Sequence, residues 1–312
     1  MSPAQRANTI IGGVNKAGTT SLFSSLAAHP EVAPSSVKET RYFLPARYGQ
    51  PLEPVSLYES YFAHAGDRPV RLEATPAYFY GGAPLVGRIV DVLGQPRVIL
   101  AFREPVSRLV SFFTFQKTRL RIPEEMTLAE YLAVADRLSD ADFADPGNER
   151  YFGFRGGCYA DYLPPWLEAF GSHMRVVFFD DLMGTPHAVL RDVAGWLEID
   201  PDAFPADDLS SENRTMGFRV RALQRVALAT NNRLERFLRR HLGLKQRLRS
   251  AYYRLNGRAM RDPVADAVLA ELQARYREPN DRFAAQLRGA GVRALPGWLA
   301  EPQRPAGRLS RT

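Results

Sequence analysis

The sequence has a single cysteine, Cys158, and only five histidines in 312 residues. One cysteine cannot form an internal disulfide, and no cysteine and histidine cluster has metal-ligand spacing, so neither a disulfide nor a zinc site is predicted. Long hydrophobic runs are also missing. Residues 1–8 are mostly polar and lead directly into a short apolar run, so we expect no signal peptide, no membrane span and a cytoplasmic protein. The sequence contains no internal repeat.

The composition is that of a folded protein whose charge is unevenly distributed. Hydrophobic residues make up 45% of the chain, which excludes disorder throughout and suffices for a large core. The formal net charge is +7, yet the segment Arg214–Arg261 holds thirteen arginines and Lys245 against Glu235 alone. This basic segment predicts anionic partners such as phosphates, an acidic ligand or a membrane surface.

Short apolar, β-prone runs alternate with helical patterns over the first two hundred residues. The predicted strands are Thr9–Val14, Val70–Glu73, Arg97–Phe102 and Arg175–Phe179. The predicted helices are Thr19–Ala28, Gly82–Leu93, Pro105–Lys117, Leu128–Leu138, Tyr159–Phe170 and Pro186–Leu197. This alternation predicts an α/β fold with three layers, α/β/α, around a central parallel sheet, and ligands beyond the C-terminal ends of its strands.

The chain is predicted to divide into three regions. Residues 1–217 form the α/β core, residues 218–300 form an Arg-rich helical extension without strands, and residues 301–312 form a disordered tail. The last helix of the extension is expected at Val264–Leu287. The Arg-rich stretch 219–258 has three interpretations: a solvated helix face, a lid that binds an anionic ligand, or a surface with weak affinity for anionic membranes.

The run TIIGGVNKAGTTSL predicts a phosphate-binding loop between the first strand and the first helix. This order of elements directs backbone N–H groups and the positive end of the helix at one point. Gly13 and Gly18 permit the loop conformation, Lys16 adds a positive charge, and Thr19–Ser21 add hydroxyl donors. A Walker A loop would carry lysine directly after the second glycine, which disfavours a P-loop kinase. An ordinary capped β–α turn is the structural alternative.

A second anion site is predicted in the run REPVSRLVSFF. Arg103 follows the buried strand RVILAF, and Pro105 opens the next helix. Arg108 and Ser111 fall on the first turns of that helix. Taken alone, an arginine at a strand exit and another on a solvated helix face would be unremarkable.

Together, the two segments resemble the PAPS-dependent sulfotransferases, in particular their bacterial and heparan-sulfate-type branch. In that family a loop like GVNKAGTTSL binds the 5′-phosphosulfate of 3′-phosphoadenosine-5′-phosphosulfate (PAPS), and R-[DE]-P-x-x-R-x-x-S binds its 3′-phosphate. Four further segments are similar to segments of that family and occur in the same order. They are Lys38–Phe43 (KETRYF), Leu72–Tyr78 (LEATPAY), Gly157–Phe170 (GCYADYLPPWLEAF) and Arg175–Leu182 (RVVFFDDL). The resemblance covers about Thr9–Met216.

The resemblance implies which residues bind the donor. Those implied around the 5′-phosphosulfate are Lys16, Ala17, Gly18, Thr19, Thr20 and Ser21. Arg103 and Ser111 would hold the 3′-phosphate, with Arg214 near it and Tyr159 near either the 3′-phosphate or the adenine. Ala74 stands where heparan-sulfate-type enzymes often carry lysine, so a second catalytic lysine is not predicted.

Sulfuryl transfer needs positive charge for the leaving phosphate and a base for the proton of the acceptor. Lys16 is predicted to neutralise the charge on the leaving oxygen. Glu39 is the predicted base, because the resemblance places KETRYF on the acceptor side, and Glu73 at a strand end is the reserve candidate. In-line displacement would release 3′,5′-bisphosphorylated adenosine (PAP) without a metal ion.

The residues do not identify the acceptor. A hydroxyl or amine on a small molecule, a carbohydrate or a lipid-linked molecule is expected, nucleic acid is not expected as a partner, and a homo-oligomer is left open. The alternative functions are a P-loop kinase of a nucleotide or sugar, a basic nucleic-acid-binding protein, and a relative that binds PAP without catalysis.

Overall fold

A computed structural model describes residues 5–205, 216–218, 224, 225, 227, 257–259 and 264–300. Its main sheet has five parallel strands in the order β2-β3-β1-β4-β5. These strands are β1 Thr9–Gly13, β2 Val32–Pro34, β3 Val70–Ala74, β4 Arg97–Phe102 and β5 Met174–Phe178. A separate antiparallel pair consists of β6 Met216–Phe218 and β7 Gly257–Ala259.

The two strands β1 and β4 lie side by side in the sheet and are buried over almost their whole length. Central strands of a parallel sheet are covered on both faces, so they are apolar in near-continuous runs such as RVILAF. The predicted strands are confirmed to within one residue at each end. The missed strand β2 has only three residues, too few to show any periodicity.

Helices flank the sheet and connect its strands. They are α1 Thr19–Ala27, α2 Leu44–Arg47, α3 Val55–Ser60, α4 Gly82–Leu93, α5 Pro105–Thr118, α6 Leu128–Ala135, α7 Pro164–Phe170, α8 Phe179–Gly184, α9 Pro186–Leu197 and α10 Asp266–Gly289. The predicted α/β/α fold is confirmed. The helix predicted from Tyr159 begins only at Pro164, because prolines favour the first turn of a helix; Tyr159–Asp161 is a 3₁₀ turn instead.

The long helix α10 confirms the C-terminal helical extension. It buries Phe283 against Phe102 and Tyr159, with ring centroids 4.8 and 5.2 Å apart. The prediction that no strand follows Phe218 is wrong, because β7 pairs there with β6. Most of the Arg-rich stretch 219–258 and the tail 301–312 lie outside the described residues, so the three predicted regions and membrane association stay predictions. No helix within the described ranges is long and apolar enough to cross a membrane.

The register of the sheet brings several strand ends to one edge. Ile11 of β1 pairs with Ala74 at the end of β3, and Val14 N–H donates to the carbonyl of Ala101 in β4 over 2.8 Å. The segments that begin at Val14, Thr75 and Arg103 therefore leave the sheet side by side. This is the edge at which parallel α/β sheets bind ligands.

Candidate active site

The loop between β1 and α1 ends at Gly18, which is the N-cap of α1. Gly18 has φ +80°, and a Cβ there would lie 2.9 Å from Leu182 and 3.0 Å from Phe179 of α8. Only glycine suits both the left-handed backbone and the close approach of α8. No side chain caps α1, so its first N–H groups, at Thr19, Thr20 and Ser21, remain available to an anion.

Lys16 lies on the loop with φ 73° and extends toward α5. Its Nζ lies 4.6 Å from the centre of the Phe115 ring, a favourable cation–π contact. The neighbouring Ala17 is buried and donates its N–H to the carbonyl of Val14 over 3.3 Å. The loop therefore lies between α8 on one side and α5 on the other.

Arg103, directly after β4, reaches the same loop. Its Nη1 donates to the carbonyl of Lys16 over 3.3 Å, and its guanidinium lies 4.3 Å from the ring centre of Phe179. Burial lowers the pKa of Arg103, although the group stays charged at any physiological pH. The two predicted phosphate sites therefore meet at this loop, and we call the surroundings of Lys16 and Arg103 the mouth.

Ser111 lies on α5, one helical turn before Phe115, so the two residues share a helix face. Because Phe115 contacts Lys16, the half-buried Ser111 lies on the side of α5 that faces the mouth. Glu104 caps this helix by accepting hydrogen bonds from the N–H groups of Val106 and Ser107, over 2.8 and 2.6 Å. Arg103 and Ser111 thus belong to one capped strand-to-helix unit.

Arg108 does not lie on a solvated helix face. Its side chain is 1% exposed and donates from Nη2 to the carbonyl of Gly153, while Nε has no hydrogen-bond partner among the described residues. Arg108 therefore joins α5 to the segment around Gly153 inside the protein.

The segment KETRYF forms a turn beside the end of β3. Glu39 and Arg41 have φ 63° and 59°, and the Glu39 N–H donates to the carbonyl of Ala74 over 2.9 Å. The Glu39 side chain is 49% exposed and accepts from Lys38 Nζ over 3.1 Å. Two non-glycine residues in the left-handed region mark a turn held by its surroundings, a feature that often occurs at functional sites.

Glu73 is fully buried and receives four hydroxyl hydrogen bonds. Tyr58 donates over 2.5 Å, Tyr78 over 2.7 Å and Thr75 over 3.0 Å, and Thr40 donates as well. Burial raises the pKa of Glu73, and the four hydrogen bonds oppose this effect. Because its oxygens are already occupied, Glu73 is poorly suited to take a proton from an acceptor, but through Thr40 it anchors the turn that carries Glu39.

Tyr159 and Arg214 are the remaining predicted donor-binding residues, and only Tyr159 lies within the described part of the chain. Tyr159 is 1% exposed, and its hydroxyl donates to the carbonyl of Arg103 over 2.7 Å. Tyr159 therefore supports Arg103 from within the core, and direct contact with a nucleotide stays a prediction. Arg214 lies outside the described residues.

Sequence reasoning missed the aromatic supports of the mouth. Phe115 below Lys16 and Phe179 below Arg103 carry no motif of their own, since each looks like an ordinary core residue. Phe115 falls four residues after Ser111, and this spacing is the one signal that could have revealed it. Among the described residues, no group of His, Cys, Asp and Glu could hold a metal ion.

The comparison with known proteins gives several relatives and a set of similar structures. No family model matches the sequence. The chain is 25% identical over 223 residues to bifunctional heparan sulfate N-deacetylase/N-sulfotransferase 1 of Caenorhabditis briggsae, a match that covers 69% of this chain. It spans about a quarter of the length of that relative, 25%.

The comparison with solved structures gives the following two similarities. A sulfotransferase from Alicyclobacillus acidocaldarius superposes with a TM-score of 0.57 and 22% identity, over 67% of this chain and 87% of that one. The sulfotransferase domain from the curacin biosynthetic pathway gives a TM-score of 0.47 and 13% identity, over 68% and 80% of the two chains.

Proposed function

We propose that this protein, which has the fold of the sulfotransferases as its motifs predicted, is a PAPS-dependent sulfotransferase. It transfers the sulfuryl group of PAPS to a hydroxyl or amine of a small-molecule, carbohydrate or lipid-linked acceptor and releases PAP. The observation that carries this proposal is the 3.3 Å contact between Arg103 and the carbonyl of Lys16, which joins two anion sites at one mouth. A nucleotide with separate 3′- and 5′-phosphates suits two such sites better than a nucleotide whose phosphates form a single chain, such as ATP.

The residues of the mouth fit a bisphosphorylated adenosine. The uncapped first turn of α1 offers N–H donors to the 5′ side. Arg103 and Ser111 offer a guanidinium and a hydroxyl to the 3′ side, and Arg103 forms no ion pair with a described carboxylate. PAPS, when bound, supplies the sulfuryl group together with its leaving phosphate.

Lys16 stabilises the leaving group in this proposal. As the bond between sulfur and the bridging oxygen breaks, negative charge develops on that oxygen, and an ammonium placed beside it lowers the barrier. The contact with Phe115 keeps Lys16 Nζ at the mouth. The positive end of α1 acts on the same phosphate oxygens.

Glu39 takes the proton of the acceptor as the new bond to sulfur forms. Its carboxylate is exposed on a turn beside the end of β3, whereas the oxygens of Glu73 are buried and hydrogen-bonded. A base must reach the acceptor through solvent-accessible space, which favours Glu39.

We also propose that the reaction requires no metal ion, because Lys16, Arg103 and the helix end provide positive charge for the leaving phosphate. Turnover measured in excess EDTA should equal turnover in magnesium. A strict requirement for magnesium would instead favour a P-loop kinase.

Thermal unfolding with nucleotides tests the proposed function. At equal concentrations PAP should raise Tm more than ATP or ADP, because only PAP has separate 3′- and 5′-phosphates for the two anion sites. A ligand at a hundred times its Kd stabilises the protein by about 2.7 kcal/mol. Arg103→Gln should abolish the preference for PAP. Arg88→Gln, which removes an exposed arginine of α4, is the matched control and should retain it. Equal stabilisation of the wild-type protein by PAP and ATP would contradict the proposal.

A further inference from the structure

Several arginines lie near one another, although they come from three separate segments of the chain. The segments are the KETRYF turn with the helix α2 that follows it, the turn after α5, and the 3₁₀ turn Pro146–Tyr151. We call these residues the arginine cluster: Arg41, Arg47, Arg119, Arg121 and Arg150.

Direct contacts hold these segments together. Arg150 Nη1 donates to the carbonyl of Arg121 over 3.4 Å, and Arg47 Nη1 lies 3.4 Å from Glu149 Oε1. Tyr48 donates to the same Glu149 oxygen over 2.6 Å. The arginine cluster is therefore a defined part of the fold.

The positive charge of the arginine cluster is poorly balanced. Glu149 is the one carboxylate bonded to it within the described part of the chain, and that carboxylate is shared with Tyr48. Over the same described residues, the side chains of Arg41, Arg119 and Arg121 form no ion pair, and Arg150 Nε is buried without a hydrogen-bond partner. An unpaired buried donor is unfavourable, which adds to the electrostatic imbalance of the arginine cluster.

The neighbouring charges also act on one another. Partial burial lowers the pKa of Arg121, and the positive charges of Arg119, Arg41 and Arg150 lower it further, while Glu149 opposes them. Mutual repulsion of this kind is relieved when an anion binds.

The arginine cluster lies beside the reacting groups. The Arg119 N–H donates to the carbonyl of Phe115 over 3.0 Å, and Phe115 is the residue that contacts Lys16. Arg41 lies two residues after Glu39, and its N–H donates to Thr75 Oγ1 over 3.3 Å. Arg41 and Arg119 are therefore close along the chain to Glu39 and to Phe115, the residue that contacts Lys16.

We propose that the arginine cluster binds an anionic group of the acceptor, a carboxylate or a sulfate or phosphate ester, so that the preferred acceptors are acidic molecules. This inference rests on the proposed function and names its substrate class. Arginine suits the task because its planar fork of donors matches the oxygens of such groups and stays charged.

Fluorescence titration with labelled trisaccharides provides the test. One probe is trigalacturonate, which carries carboxylates, and its neutral counterpart is the fully methyl-esterified form. A sulfated maltotriose and plain maltotriose form the second pair and distinguish sulfate from carboxylate. Each probe is titrated both without PAP and with PAP added, so that probe binding in the two phosphate sites is recognised. PAP binding is measured separately on the same samples.

The decisive comparison uses two double variants with the same loss of charge. Arg41→Gln/Arg121→Gln removes two members of the arginine cluster, whereas Arg88→Gln/Arg277→Gln removes two exposed arginines of α4 and α10. The wild type should bind at least one anionic probe and neither neutral one. The cluster variant should bind that probe at least tenfold more weakly, a loss of about 1.4 kcal/mol in binding free energy. The affinity of the control variant should stay within about twofold of the wild type.

Equal affinity of the cluster variant and the wild type for the anionic probe would overturn the inference. An equal loss of affinity in both double variants would also overturn it, because that result would indicate non-specific attraction. Failure of the wild type to bind any anionic probe would overturn it as well. If the wild type failed to bind PAP, the proposed sulfotransferase function would be contradicted instead. The arginine cluster would still be tested, because the probes are also titrated without PAP.

Discussion

At the scale of single residues, two glutamates beside the same strand end have opposite surroundings. The Glu39 side chain is 49% exposed, whereas Glu73 is fully buried under four hydroxyl donors. The sequence alone could not assign their roles, since each is a glutamate near an apolar run. Their difference depends on Thr40, Tyr58 and Tyr78, which reach Glu73 only in the folded chain.

Glu39→Gln should lower kcat by about 10²- to 10⁴-fold, because the amide cannot take the proton of the acceptor. PAP affinity should not change, since Glu39 is not among the residues predicted to bind the phosphates. Steady-state kinetics and PAP titration measure the two effects. Glu168→Gln, at an exposed position of α7, is the matched control and should behave as wild type. Unchanged kcat in Glu39→Gln would transfer the role of base to another group.

Glu73 should make stability depend on pH. Burial raises its pKa in the folded protein above the ordinary value of 4.5, so the folded state binds this proton more readily than the unfolded chain. Relative to Glu73→Gln, the wild type should be most stable below that ordinary value and should lose this advantage as pH rises through the folded-state pKa.

Urea unfolding of both proteins between about pH 4 and pH 8 measures this difference, and each unit of pKa shift contributes about 1.4 kcal/mol. Other groups titrate alike in the two proteins and cancel. A difference in unfolding free energy that stays constant with pH would show that the pKa of Glu73 is not raised.

At the scale of elements, the mouth depends on a loop packed between two helices. Gly18→Ala should be destabilising by about 1–3 kcal/mol and should weaken PAP binding, because φ +80° disfavours alanine and its Cβ would lie 2.9 Å from Leu182. Chemical denaturation and PAP titration measure both effects.

Gly87→Ala is the matched control for that change. Gly87 lies inside α4 with no atom within 4 Å of a Cβ placed on it, so alanine should be neutral or stabilising by up to about 1 kcal/mol. If Gly18→Ala behaved in the same way, the left-handed turn would not be needed for the site.

The elements themselves could largely be predicted from the sequence. Apolar runs of five or six residues predicted β1 and β4, and the helix α4 was predicted at its observed limits. Short elements could not be found in this way. The strands β6 and β7 have three residues each and pair across about forty positions, so no local pattern indicates them.

At the scale of the whole molecule, the core is shared by segments distant in sequence. Phe283 of α10 lies in the same hydrophobic cluster as Phe102 of β4 and Tyr159. The predicted boundary at residue 217 therefore does not separate two independent cores within the described residues. The arginine cluster was missed for a similar reason. Its members lie far apart along the chain and meet only when α2 and the turn after α5 both contact the 3₁₀ turn Pro146–Tyr151.

Phe283→Ala should lower the unfolding free energy by about 3–5 kcal/mol, because it leaves a cavity beside Phe102 and Tyr159. Unfolding should remain a single transition in both proteins, as monitored by circular dichroism and calorimetry. Leu57→Ala, at a residue that is 42% exposed, should change stability by no more than about 0.5 kcal/mol. An early, separate transition of the variant would show that α10 folds on its own.

The position of Trp298 gives the proposed nucleotide site an intrinsic optical signal. Its indole N–H donates to Asp180 over 3.1 Å, and its ring lies parallel to that of Phe283 at 6.4 Å. Asp180 follows Phe179, the residue against which the Arg103 guanidinium lies. Filling the mouth with a nucleotide should therefore alter the emission of this tryptophan, so that occupancy can be read from the unlabelled protein in a cuvette.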